Sequence, residues 1–333
     1  MMRQEQIRFG VIGTNKITDW FLAGARQIEA FTLSAVYSRS EEKALAFADK
    51  YQVPHIFTNL KEMAESDVID AVYIASPNAL HAEQTILFLN NKKHVLCEKA
   101  FASNASEVRE MIKTAKSNQV ILMEAMKTTQ LPNFNTVKKQ LHRIGKIRRF
   151  FGCFCQYSSR YDSYKEGILL NAFKPELSNG SLMDIGVYCI HPMISLFGQP
   201  EGLKANAVML ESGVDGEGCL LFKYEDMEGI AVYSKITNSV LPSEIQGEEG
   251  NIVIQNMVDF ERVKIVFKDG TEEDISQIQR KDTMYYEINE YINLIKKRDF
   301  EMNDYLLQNS KWVMECMDEA RRQIGLVFLT DKV

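Results

Sequence analysis

From Ile7 to about Met123 the chain alternates short, β-rich apolar runs with segments of helical periodicity. This alternation limits the possible folds more than any other feature. The strand-like runs are Ile7–Ile12, Thr32–Ser38, Ala71–Ala75, His94–Cys97 and Val120–Met123. Between them, Ile17–Gln27 places Ile17, Phe21, Leu22 and Ala25 on one side, and Glu41–Tyr51 is rich in helix formers. Ala79–Leu89 and Ser103–Ser117 read as two further helices. Strands separated by such helices predict βαβ units and a parallel sheet. The right-handed crossover rule then makes a doubly wound sheet the expected fold.

The rest of the chain is patterned differently. Ile147–Tyr157, Gly202–Leu210, Gly218–Tyr224, Gly229–Lys235, Asn251–Gln255 and Arg262–Phe267 read as strands, with Asp269-Gly270 as a hairpin turn. No long helix separates most of them, so an antiparallel sheet is expected. Helices are expected over Leu182–Phe197, Tyr285–Lys297 and roughly Leu306–Gly325. A length of 333 residues suits two domains. The boundary falls near residues 124–132, giving an α/β nucleotide-binding domain over 1–125 and an α+β domain over 126–333.

With 45% hydrophobic and 25% charged residues, composition excludes a disordered or fibrous chain. The net charge of −6 argues against a nucleic-acid binder held by a basic face. No apolar run reaches the ~18–20 residues of a membrane span. Met1–Gln6 is polar, and no apolar stretch with a small-residue cleavage site follows. The six cysteines form no CxxC pair and no zinc-finger spacing. A cytoplasmic protein with reduced thiols and no metal is expected.

The first strand runs into Gly13, Thr14, Asn15, Lys16, Ile17 and Thr18. Strand, glycine turn and helix start form a dinucleotide-binding context, where backbone N–H groups can meet a pyrophosphate. Against a GxGxxG pattern, Asn15 takes the second glycine and Thr18 the third. Asn tolerates positive φ, and its amide is a candidate phosphate ligand. An ordinary strand-to-helix turn is the competing reading. The second strand ends at Ser38 and Arg39, where an NAD site usually carries an Asp or Glu. A hydroxyl and a guanidinium suit a 2′-phosphate. NADP is therefore favoured over NAD, with a merely solvated Arg39 as the alternative.

Three further segments carry a resemblance. Asp70 to His81 (DAVYIASPNALH) is similar to the "D-V-V-x-I-A-T/S-P-N-x-x-H" run of the Gfo/Idh/MocA oxidoreductases. Lys93 to Ala100 (KHVLCEKA) resembles that family's "K-H-V-x-x-E-K-P". Pro175 to Tyr188 (PELSNGSLMDIGVY) resembles the "P-E-L-G-G-G-x-L-x-D-x-G-x-Y" of its dihydrodiol and aldose dehydrogenase-like branch. The resemblance spans essentially the whole chain. It implies a Rossmann domain plus a domain with a large, mostly antiparallel sheet, whose open face commonly serves as a dimer interface. It also implies that Ser76, Pro77, Asn78 and His81 lie near the nicotinamide, that Glu98 and Lys99 form the lysine motif, and that Tyr188 is the acid/base.

The chemistry of these assignments can be stated independently. A cation at a strand's carboxyl end, Lys99, stabilises a developing alkoxide and lowers a neighbouring phenol from its ordinary pKa near ~10. Tyr188 then exchanges the substrate's hydroxyl proton. On a helix, Asp184, Tyr188 and His191 share a face. Asp184 can orient Tyr188 or Lys99, or bond a sugar hydroxyl; a helix N-cap is its rival reading. His191 reads equally as a core histidine, Tyr188 as a core tyrosine and His81 as a helix cap. Gly180 and Gly186 permit close backbone approach to a ligand.

Three departures stand out. Ala100 replaces the motif's proline, and a cis bond is unfavourable there without it, so a slightly different lysine geometry is expected. Ser178-Asn179 replaces two glycines. Lys127 and Thr129 replace a Trp and an Arg, and Lys127 joins Asp184, Tyr188 and His191 as a substrate-site candidate. The expectation is an NAD(P)-dependent oxidoreductase moving a hydride to or from a carbinol or carbonyl carbon of a sugar, polyol or dihydrodiol, an aldose first. A homo-oligomer, dimer or tetramer, is implied by the family. A non-catalytic metabolite sensor and a redox-assisted glycosidase or lyase are the alternatives.

Overall fold

The computed structural model describes residues 6–332. The first five residues of the domain expected over 1–125, and Val333 at the end of the second, lie outside the described residues. The chain divides into two units, one of Met1–Lys127 with Arg280–Gln308 and one of Thr128–Gln279 with Asn309–Val333.

In the first unit, β1 (Ile7–Ile12), β2 (Phe31–Tyr37), β3 (His55–Phe57), β4 (Ala71–Ile74), β5 (His94–Glu98) and β6 (Leu122–Ala125) form one sheet in the order β3-β2-β1-β4-β5-β6. Every pairing is parallel. The connecting helices are α1 (Lys16–Ala25), α2 (Glu41–Tyr51), α3 (Leu60–Glu65), α4 (His81–Asn90) and α5 (Ala105–Asn118). Strand β4 is buried throughout, as a strand covered on both faces must be. The strand order reverses between β1 and β4, and ligands of such sheets bind at that crevice.

The second unit opens with α6 (Pro132–Gln140), whose proline takes the first turn, where its missing N–H is harmless. Strand β7 (Ile147–Cys155) follows, then α7 (Ser159–Lys165) and α8 (Val187–Phe197). Eight strands make the sheet: β7, β8 (Gly202–Met209), β9 (Asp215–Lys223), β10 (Glu228–Ser234), β11 (Ser243–Gly247), β12 (Gly250–Ile254), β13 (Val263–Phe267) and β14 (Glu272–Asp274). Their order is β14-β13-β12-β11-β7-β10-β9-β8. The β7–β10 pair is parallel, against the antiparallel expectation. After α8 the chain re-enters at the far edge as β8, and the β8-β9-β10 meander returns β10 beside β7 in the same direction. Gly270, φ +86°, turns β13 into β14 at the expected hairpin.

Phe150, Phe154 and Gly152 of β7 face α8, through Phe197, Tyr188 and Cys189 respectively. The segment Pro175–Phe197 is long and apolar enough by composition to cross a membrane, which the sequence reading did not anticipate. Most of its apolar stretch is buried within the fold, as a core helix is.

The contiguous second domain drawn over 126–333 needs correction. Helix α9 (Met284–Lys297) belongs to the first unit, while α10 (Phe300–Ile324) opens in the first and closes in the second. Ile288, Tyr291 and Ile292 of α9 enter the core formed by Phe9, Phe21 and Phe31. Tyr291 stands edge-on to Phe9 at 6.0 Å. An amphipathic helix docks where its apolar stripe is covered, whatever its place in the chain.

Candidate active site

The first unit presents the turn between β1 and α1. Gly13 has φ +103°, and a Cβ there would stand 2.8 Å from the Ala75 carbonyl oxygen. Only glycine fits, and the backbone beside the start of α1 is left open to a phosphate. Thr18 is buried, and its hydroxyl donates to the Gly13 carbonyl at 2.9 Å.

Asn15 differs from expectation. Its φ is −97°, not positive. Its Oδ1 accepts from the Ile17 N–H at 3.1 Å as the cap of α1, and its Nδ2 donates to Ala75 O at 3.3 Å. The amide holds β4 to the turn. The Lys16 ammonium lies over the Trp20 ring. Beyond β2, the Ser38 hydroxyl accepts from the Ser40 N–H at 3.3 Å. Arg39 is exposed and makes no ion pair among the described residues.

Ser76, Pro77 and Asn78 follow β4; Ser76 Oγ donates to Gln84 Oε1 at 2.8 Å, and Asn78 starts a short 3₁₀ turn. His81 is fully buried. Its ring nitrogens lie 2.9 Å from two carbonyl oxygens, Nδ1 from Ala100 and Nε2 from Ser76. Burial lowers its pKa, against the pull of those carbonyls. His81 therefore joins the loop after β4 to the loop after β5.

Glu98 is also buried. Its Oε1 accepts from the Tyr73 hydroxyl at 2.5 Å and its Oε2 from the Lys99 N–H at 3.3 Å. Burial raises its carboxyl pKa, while the Tyr73 hydrogen bond and the Lys99 charge oppose the rise. Glu98 thus anchors the backbone that carries Lys99, which is half-buried at the end of β5. The Lys99–Ala100 peptide is cis although no proline follows. Lys127 also lies in this unit, its ammonium donating to Thr283 Oγ1 at 3.2 Å. Sequence reasoning passed over Glu287 of α9, which is fully buried, its carboxyl pKa raised far above the ordinary range by burial and then by Glu98.

In the second unit the expected helix over Leu182–Phe197 has two parts. Leu182–Gly186 is a π-helical turn, and α8 follows it. Such wide turns are frequent at functional sites. The change of pitch breaks the uniform spacing assumed for Asp184, Tyr188 and His191. Asp184 and Tyr188 are partly exposed, and Tyr188 stands edge-on to Phe154 at 5.6 Å. His191 is buried, with Nδ1 3.2 Å from Ser195 Oγ one turn on.

Two residues that sequence reasoning missed hold this turn. Asp215 is fully buried and accepts from the Ser181 and Leu182 N–H groups at 3.1 and 2.7 Å. Burial lifts its pKa to about 6. Lys235 is also buried, and its ammonium lies 2.7 Å from Asp184 Oδ2. Asp184 is thus ion-paired rather than the N-cap. Gly180, φ +140°, would place a Cβ 2.2 Å from Asp215 Oδ1, and one on Gly186 would meet the Tyr233 ring at 3.1 Å. Both glycines make room for the protein's own side chains, not for a ligand as expected.

Comparison with known proteins identifies the family and the fold. Residues 7–126 match the Gfo/Idh/MocA model, an oxidoreductase family with an NAD-binding Rossmann fold, and residues 134–253 match that family's C-terminal domain. The chain is 55% identical over 326 residues to the NADP(+)-dependent scyllo-inositol 2-dehydrogenase of Bacillus subtilis, covering 98% of this chain and 99% of that one. It is 30% identical to trans-1,2-dihydrobenzene-1,2-diol dehydrogenase of Danio rerio, covering 98% and 99%. A 3-ketoreductase from Actinomadura kijaniata, solved with NADP, shares the fold at TM-score 0.79 and 22% identity, covering 96% and 98%. The chain belongs to the Gfo/Idh/MocA family and is an NAD(P)-dependent dehydrogenase/reductase acting on CH–OH carbons.

Proposed function

We propose that this protein is an NADP-dependent cyclitol dehydrogenase that oxidises one secondary carbinol of a scyllo-inositol-like ring to the ketone. The supporting observation is the 55% identity to a scyllo-inositol 2-dehydrogenase along nearly the full length of both chains. It moves the first-choice substrate from an aldose to a cyclitol. It also favours turnover over the sensor and the redox-assisted readings.

When bound, NADP supplies the hydride acceptor. The cradle at Gly13 and the exposed Arg39 beyond β2 suit it, the guanidinium pairing with the 2′-phosphate. Lys99, its backbone fixed by Glu98, stabilises the alkoxide charge that develops as the hydride leaves. Tyr188 takes the hydroxyl proton and returns it in the reverse direction. Asp184 accepts a hydrogen bond from a ring hydroxyl. Ser76, Pro77 and Asn78 line the nicotinamide end.

A second copy of the chain is the partner we infer. One face of the second unit's sheet leaves Leu221 54% exposed. Its neighbours Cys219, Ile230 and Val232 on that face are partly exposed. We place the protein in the cytoplasm, which suits six free thiols.

The test is reduction of NADP+ at 340 nm by scyllo-inositol, myo-inositol and a panel of aldoses and dihydrodiols. Turnover of scyllo-inositol that is lost in Lys99→Ala and Tyr188→Phe is expected. Tight NADPH binding with no turnover of any polyol would overturn the reading.

A further inference from the structure

The second unit holds a buried cation to which the proposed chemistry assigns no task. Lys235 follows β10 and is only 2% exposed. Its backbone is pinned from two sides, the N–H donating to Gly216 O at 2.9 Å and the carbonyl accepting from the Ser158 N–H at 2.8 Å. The side chain runs inward. Its ammonium lies 5.2 Å from the Phe173 ring centroid, 3.5 Å from the Ala172 carbonyl oxygen and 2.7 Å from Asp184 Oδ2.

A buried ammonium is unfavourable unless paired, and a buried ion pair adds little stability over apolar residues of the same volume. Stability alone therefore does not explain the arrangement. The pair is also lopsided. The cation is enclosed, whereas the Asp184 side chain is 34% exposed. Ring face, carbonyl and backbone fix the lysine as a rigid post, and its charge is delivered to the carboxylate at the surface end. The turn that carries Asp184 is held independently, its backbone N–H groups tied to Asp215.

We propose that Lys235 is a positioning residue for Asp184: it holds the carboxylate in one rotamer, ready to accept a hydrogen bond from a substrate hydroxyl. Without the post, the partly exposed Asp side chain loses a contact that orders it before substrate binds, and that cost reappears as weaker binding. A carboxylate acceptor already fixed makes a charge-assisted bond without it. The proposal rests on the reading of Asp184 as a substrate residue given above.

The experiment measures KM and kcat for scyllo-inositol with saturating NADP+, alongside NADPH affinity and melting temperature. The variants are Lys235→Met, Lys235→Arg, Asp184→Asn and the double Asp184→Asn/Lys235→Met. Lys235→Met is expected to raise KM at least tenfold with kcat within about threefold and NADPH affinity unchanged. Lys235→Arg, which keeps the charge, recovers most of the loss. The double variant buries neither an unpaired ammonium nor a lone carboxylate, and its KM is expected to equal that of Asp184→Asn within twofold. A Lys235→Met enzyme that melts lower but keeps its KM, while Asp184→Asn raises it, would overturn the role of Lys235 alone. An unchanged KM in Asp184→Asn would overturn the reading of Asp184 and the proposal with it. If Lys235→Met does not fold, the double variant decides: a KM far above that of Asp184→Asn would mean that the lysine does not act through Asp184.

Discussion

Cofactor choice is a property of single side chains. Arg39 is exposed and forms no ion pair among the described residues, so removing it leaves no buried partner behind. Arg39→Ala is expected to weaken NADPH binding by about 1–3 kcal/mol, the range for a lost charge-assisted bond, and to leave NADH nearly untouched. Fluorescence titration with both cofactors checks this, and equal losses would refute the assignment. Which side chains face a ligand was only partly legible in the sequence. His81 and Glu98 sit in motifs that point to the cofactor, yet their polar atoms are taken by Ser76, Ala100, Tyr73 and Lys99. Adjacency in the chain located the right loops but not which side chain turned inward. Lys235 was missed for the opposite reason: a lysine at the end of a strand reads as a solvated one.

Among the elements, legibility followed local contrast. Strand β1 and helix α2 stand where the sequence placed them, because an apolar run and a run of helix formers each have sharp ends. Strand β11 has one apolar residue, Ile245, between Glu244 and Gln246, and went unseen. The π-helical turn was hidden because Leu182–Gly186 has the composition of any core helix. The junction of β5 and β6 carries a pH dependence. Half-buried at the start of β5, His94 accepts from the Ile121 N–H through Nδ1 at 2.8 Å. Burial lowers its pKa from 6.5 to about 4. The neutral ring is the one the fold uses, so its contribution is complete above pH 6.5 and is lost as pH falls through 4. The gap is worth about 3 kcal/mol. Urea unfolding of the parent and of His94→Gln between pH 7.5 and 4 checks it. The variant is expected to be weaker at pH 7.5 and to decline less steeply, and parallel curves would refute the argument.

On the scale of the whole molecule, the apolar sheet face and the divided first unit matter most. If the face is a subunit interface, Leu221→Asp places a charge in it without touching the core. Light scattering is expected to show a dimer or tetramer for the parent and a 38.1 kDa particle for the variant. A monomeric parent, or a variant of unchanged mass, would remove the face from consideration. The division of the first unit bears on how the chain is made. Phe9 and Phe21 leave the ribosome early, but their partner Tyr291 lies beyond the entire insertion that begins at Thr128. At about 5–20 residues per second, roughly ten to thirty seconds separate the synthesis of Lys127 from that of Lys297. Through that interval the nascent nucleotide-binding half holds an open apolar seam. It closes only once α9 has been made, when about nine-tenths of the chain is complete.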